Sequence, residues 1–169
     1  MKRIAKFEKV SKEQYLEAIE GLTGVDAVIG LDDLKLPQRM TIGSAGYDFF
    51  SPVGFTLHPG ETVKFPTGVR VKMEKGWVLM CYPRSGLGFK YRLQLNNTVG
   101  IIDSDYYYAE NEGHIWVKLT NDSKEGKDVK IHSGDAIIQG VFTEYGITVD
   151  DEEDGVRIGG FGSTGGMHE

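Results

Sequence analysis

The chain has 169 residues, 40% of them hydrophobic and 26% charged, which fits one soluble globular domain with its own core. A net charge of −6 argues against broad, sequence-independent nucleic-acid binding, which needs clustered Lys and Arg, but allows a small anion held by a few arginines. The single cysteine excludes an intrachain disulfide and suits a reducing, cytoplasmic setting; no leader is expected behind Lys2 and Arg3, and no apolar run is long enough to predict a membrane span.

Residues 1–39 read as an N-terminal elaboration. Ser11 and Gln14 fit a capping box and Gly21 a stop, while Tyr15, Leu16 and Ile19 share a face, so a short amphipathic helix is predicted near residues 11–20. Pro37 and its polar neighbours read as a lead-in loop. Residues 40–149 switch to period two. Val69, Val71 and Met73 alternate with Arg70, Lys72 and Glu74, and Ile115, Val117 and Leu119 with Trp116, Lys118 and Thr120; Val129 and Ile131 continue the pattern. Turn signals punctuate the strands at Pro59-Gly60, Lys75-Gly76, Glu125-Gly126 and Ser133-Gly134. Cys81 ends the apolar run from Trp77 and reads as core. With 23 glycines and many short strands, an all-β barrel or sandwich of jelly-roll type is predicted. Residues 150–169 form an acidic linker followed by a glycine-rich arm that has no core of its own.

Two stretches carry chemistry. Tyr82-Pro83-Arg84-Ser85-Gly86-Leu87-Gly88 offers a guanidinium fork, a hydroxyl and free backbone N–H groups, the donors a phosphate chain requires. Asn97 to Tyr106 runs an apolar hairpin strand into Asp103, a carboxylate expected to be partly desolvated and suited to general-base work. Taken alone, the first reads more simply as a turn with a surface arginine, and the second as an Asp at a strand end. The tail lacks the Gly-Lys-Ser/Thr of a phosphate-binding loop. His58, His114, His132 and His168 lack metal-ligand spacing and read as surface or structural, as do Asp105 and Asp135.

Together the pieces say more. Ser44-Ala45-Gly46-Tyr47-Asp48-Phe49, Pro83-Arg84-Ser85-Gly86-Leu87-Gly88, Asn97-x-x-Gly100-x-Ile102-Asp103-x-x-Tyr106, Gly134-Asp135-x-Ile137-x-Gln139 and Gly160-Phe161-Gly162-Ser163-Thr164-Gly165 occur in that order. They resemble the five motifs of the homotrimeric dUTPase family over roughly residues 40–166. The resemblance implies a distorted β jelly roll, a homotrimer with shared active sites, and hydrolysis of dUTP to dUMP and pyrophosphate with Mg2+. Asn97 and the backbone along Gly100, Ile101, Ile102 and Asp103 would read uracil, and Tyr106 would pack under the deoxyribose and reject a 2′-hydroxyl. Asp103 would activate the water. Arg84, Ser85, Gly86 and Gln139 would bind phosphates, and Asp48 would hold the metal through a water. Phe161 would stack on uracil as the mobile arm closes, with Gly162, Ser163 and Thr164 beside it and Arg157 on the γ-phosphate.

The chain departs from the pattern in three places. Arg157 stands four residues before Phe161, where the family usually has five. Residues 107–112 look inserted, and the N-terminal helix is extra; both are candidate surfaces for a regulatory protein partner. A dCTP deaminase of the same fold is the nearest rival, but such enzymes use a glutamate near the base-reading hairpin, where Asp103 stands here.

Overall fold

A computed structural model describes residues 1–159. In chain order the elements are β1 (Ala5–Lys9), α1 (Lys12–Ile19), β2 (Ala27–Val28), β3 (Tyr47–Phe50), β4 (Val53–Leu57), β5 (Thr62–Pro66), β6 (Val69–Met73), β7 (Trp77–Pro83), α2 (Ser85–Tyr91), β8 (Leu93–Leu95), β9 (Gly100–Ile102), β10 (Trp116–Asn121), β11 (Val129–Ile131) and β12 (Ala136–Glu144), with 3₁₀ turns at Leu31–Asp33 and Ser104–Tyr108. The strands pair antiparallel in four small sheets, ordered β1-β6, β5-β10-β8, β11-β4-β2 and β3-β12-β7-β9. The order is not sequential, as in the jelly roll the composition predicts.

Period-two patterning sets which face of each strand turns inward. Val69, Val71 and Met73 of β6, Val117 and Leu119 of β10, and Val129 and Ile131 of β11 are all buried, and they join Phe49, Phe55, Phe65, Leu79 and Ile138 in one core. The turn signals also hold: Gly60, Gly76, Gly126 and Gly134 each have φ between 69° and 91°, where a β-carbon is strained. Burial pushes the Cys81 thiol up to about 12, so it is an inert core group.

The N-terminal segment differs from its sequence reading in two respects. Residues 5–9 form a full strand on β6, with Phe7 opposite Val71, so the β-structure begins well before residue 40. Phe7 is the one large apolar residue of that strand, too little for the alternation to reveal it. The helix forms where predicted, and Ser11 Oγ accepts the Gln14 N–H at 3.1 Å. However, Leu16 faces solvent; Tyr15 and Ala18 face inward, with Ile19 half-buried beside them.

Candidate active site

Three adjacent strands assemble the first cluster. Asp48 on β3 lies opposite Gln139 on β12, which lies opposite Tyr82 on β7. Two residues beyond Tyr82, Arg84 leaves the strand and caps α2, and its Nη2 meets Asp48 Oδ2 at 3.2 Å. Its Nη1 donates to the Ala136 carbonyl at 3.5 Å. Asp48 is almost covered, whereas Arg84 is 42% exposed and keeps most of its donors for a ligand. Gly46 explains itself here: a β-carbon would stand 2.5 Å from Gln139 Oε1 and push that side chain away. The stretch after Arg84 is a helix rather than the turn expected. Ser85 and Gly86 form its exposed first turn, where backbone N–H groups have no partner within the helix.

The second cluster stands at a corner between sheets. The expected hairpin is not a paired one: β8 joins β10 while β9 joins β7, so Asn96 to Val99 cross from one sheet to another. Thr98 takes φ 67° to make the bend. Gly100 faces Cys81, where a β-carbon would lie 3.1 Å from the Cys81 β-carbon. Alternation then buries Ile102 and leaves Ile101 half-exposed. Asn97, Gly100 and Ile102 border a cleft of about 370 Å³ with Leu95, Asn111 and Trp116.

Asp103 follows β9 and precedes the 3₁₀ turn that carries Tyr106. Its side chain is 48% exposed, so the desolvation expected from two preceding isoleucines does not occur, because only Ile102 turns inward. The carboxylate is instead held by charge. Arg157 Nη2 lies 2.7 Å from Asp103 Oδ2 and its Nε 2.9 Å from Asp105 Oδ1. The same guanidinium lies 5.7 Å from the Tyr106 ring centre. Tyr106 is 3% exposed and donates its hydroxyl to the His114 carbonyl at 2.7 Å. Burial pushes its phenol up, opposed by Asn111 and Arg157.

Asp103 and Arg84 stand apart along β7. Ile102 is level with Leu79, so Asp103 is level with Val78, six residues along β7 from Arg84. At about 3.3 Å per residue the separation is roughly 20 Å. Asp48 is a single hard oxygen donor beside groups suited to phosphates, which fits a hydrated Mg2+ carried mainly on a polyphosphate. Among the described residues, no three His, Cys, Asp or Glu side chains converge on a metal position. Phe161, Gly162, Ser163 and Thr164 lie outside the described residues. Asn111 at the cleft had no signal in the sequence, because its approach depends on a turn with no repeat or periodicity.

The dUTPase family profile matches residues 32–165. The chain is 42% identical over 135 residues to the deoxyuridine 5'-triphosphate nucleotidohydrolase of Lactococcus lactis, covering 78% of this chain and 89% of that protein. It is 41% identical over 139 residues to the enzyme of that name from Desulfitobacterium hafniense, covering 78% and 87%. The crystal structure of dUTPase from Streptococcus mutans superposes with a TM-score of 0.60 at 35% identity, over 72% of this chain and 96% of that one. With its described motif residues on or beside β3, β12, β7 and β9, this chain belongs to the dUTPase family.

Proposed function

We propose that this protein hydrolyses dUTP to dUMP and pyrophosphate. Its named relatives act on deoxyuridine 5'-triphosphate. The observation that carries the reading is Asp103: a half-exposed carboxylate at the end of β9, three residues before Tyr106.

In this reading Asn97 and the backbone from Gly100 through Ile101 and Ile102 bind the uracil edge, and a base with mismatched donors leaves buried polar groups unpaired. Tyr106 packs under the deoxyribose. Arg84, Ser85, Gly86 and Gln139 hold the phosphates. Asp103 orients a water and accepts its proton as the oxygen attacks the α-phosphorus in line. The bond to the bridging oxygen breaks, and pyrophosphate departs with its charge spread over the arginine and backbone donors. When bound, Mg2+ neutralises charge on the triphosphate, and Asp48 would hold it through a water. Arg157 stands on Asp103 and Tyr106, the groups assigned to the water and the sugar. Substrate therefore displaces it, and the γ-phosphate offers the guanidinium another anion. Phe161 then stacks on uracil, with Gly162, Ser163 and Thr164 at the phosphates.

The roughly 20 Å between Asp103 and Arg84 supports sites shared between chains, one chain's phosphate cluster facing a neighbour's Asp103, in the homotrimer that the family resemblance implies. The test is pyrophosphate release with Mg2+ from dUTP beside UTP, dCTP and dTTP. Release from dUTP alone is expected, and Asp103→Asn should slow it by about 10²–10⁴ while nucleotide still binds. Full activity in that variant would remove Asp103 from its role.

A further inference from the structure

The two segments that the family pattern leaves unexplained hold each other. Glu112, at φ 60°, accepts two hydrogen bonds from Ser11 at the start of α1: the backbone N–H at 2.8 Å and the hydroxyl at 2.6 Å. Tyr107 donates its hydroxyl to Glu8 of β1 at 2.7 Å, and the Arg70 guanidinium covers its ring at 4.2 Å. The far end of the strap is equally fixed. His114 is fully buried and its Nε2 accepts the Gly68 N–H at 2.8 Å. At Gly113, φ 71°, a β-carbon would stand 2.7 Å from the Tyr106 carbonyl oxygen, so the strap lies tight on the Tyr106 backbone.

Asn111 sits at the middle of this strap. Its Oδ1 accepts the Gly113 N–H at 3.2 Å, which fixes the amide's orientation and turns Nδ2 toward the Tyr106 hydroxyl at 2.8 Å. That hydroxyl spends its one proton on the His114 carbonyl, so it can only accept from Asn111. The phenol is thus tethered at its tip by both a donor and an acceptor.

We propose that Asn111 is a positioning residue for sugar selectivity. It holds the Tyr106 ring as an unyielding wall against a 2′-hydroxyl, and α1 anchors the strap that carries it. The inference rests on the assignment of Tyr106 to the deoxyribose. A steric filter discriminates only as far as its wall resists displacement. A ring free to pivot by about 1 Å would admit the extra oxygen, since errors of that size already matter at reacting centres.

The experiment measures kcat/KM for dUTP and UTP side by side in the wild type, Asn111→Leu, Tyr106→Phe and the double variant, with circular dichroism and Tm as controls for folding. Tyr106→Phe keeps the ring and removes only the tethered hydroxyl, so it tests the tether even if Asn111→Leu does not fold. The dUTP/UTP ratio should fall about tenfold in each single variant, or about 1.4 kcal/mol, and no further in the double variant. An unchanged ratio in a folded variant, equal losses on both nucleotides, or additive effects would overturn the proposal. A wild type inert toward dUTP would instead remove the functional reading, and this inference with it.

Discussion

Arg157 carries the sharpest consequence at the scale of single residues. Its side chain, mostly covered, spans Asp103 and Asp105 and lies on the Tyr106 ring, so the chain pairs its own proposed base with a cation. Arg157→Ala should act oppositely on two ligands. dUMP has no γ-phosphate to reward the arginine for moving, so it should bind more tightly to the variant by several-fold; dUTP turnover should fall. Calorimetric titration with dUMP beside steady-state rates with dUTP checks both, and weaker dUMP binding would show that the arginine helps the nucleotide bind. The residues of this site were legible in unequal measure. Asp48, Arg84, Gln139 and Asp103 stand out through their neighbours in the sequence, Asp48 two residues after Gly46 and the others directly beside glycine, serine or isoleucine. The state of Asp103 was not legible, because its exposure depends on which isoleucine turns inward and its partner lies 54 positions away.

Among the elements, α1 shows how a local signal is completed from a distance. Ser11 Oγ caps Gln14 as the sequence predicts, but the other half of the box, a side chain returned to the Ser11 N–H, comes from Glu112. Replacing Glu112 with alanine leaves that N–H and the hydroxyl without their carboxylate. The loss should be about 1–3 kcal/mol, with Tm falling by roughly 2–4 °C for each kcal/mol in a domain of this size. A thermal melt followed at a β-sheet wavelength measures it; an unchanged Tm would mean that the helix is not anchored there. Within residues 107–112, which in the sequence look like a loop open to a partner, Tyr107, Glu112 and Asn111 are engaged with β1, α1 and Tyr106, whereas Tyr108 stays exposed. Strand β1 is not legible in the sequence because its lysines and glutamate mask a single inward phenylalanine.

For the whole molecule, the spacing along β7 sets Asp103 apart from Arg84. Asp103 and Arg84 of one chain stand roughly 20 Å apart along the strand, which favours sites shared between chains. Chains carrying Asp103→Asn and chains carrying Arg84→Ala should each be nearly inactive alone. Co-expressed, they should recover measurable pyrophosphate release from dUTP, because mixed assemblies contain sites that take an intact Asp103 from one chain and an intact Arg84 from another. No recovery from mixed assemblies shown to form would place each site within one chain.

The sequence by itself determined the all-β class, the inward faces of β6, β10 and β11, the glycine turns, the helix start at Ser11 and the family, since each of these is written in residues close together in the chain. Tertiary structure alone decided the pairing of β1 with β6, the crossing between β8 and β9, the clasp of Glu112 on Ser11, the tether of Tyr106 by Asn111 and the hold of Arg157 on Asp103. Most of these join residues far apart in the chain, and the Tyr106 tether depends on how one irregular turn folds back. They form through side-chain reach and charge once the sheets have brought the chain together, and periodicity and spacing carry no record of such contacts.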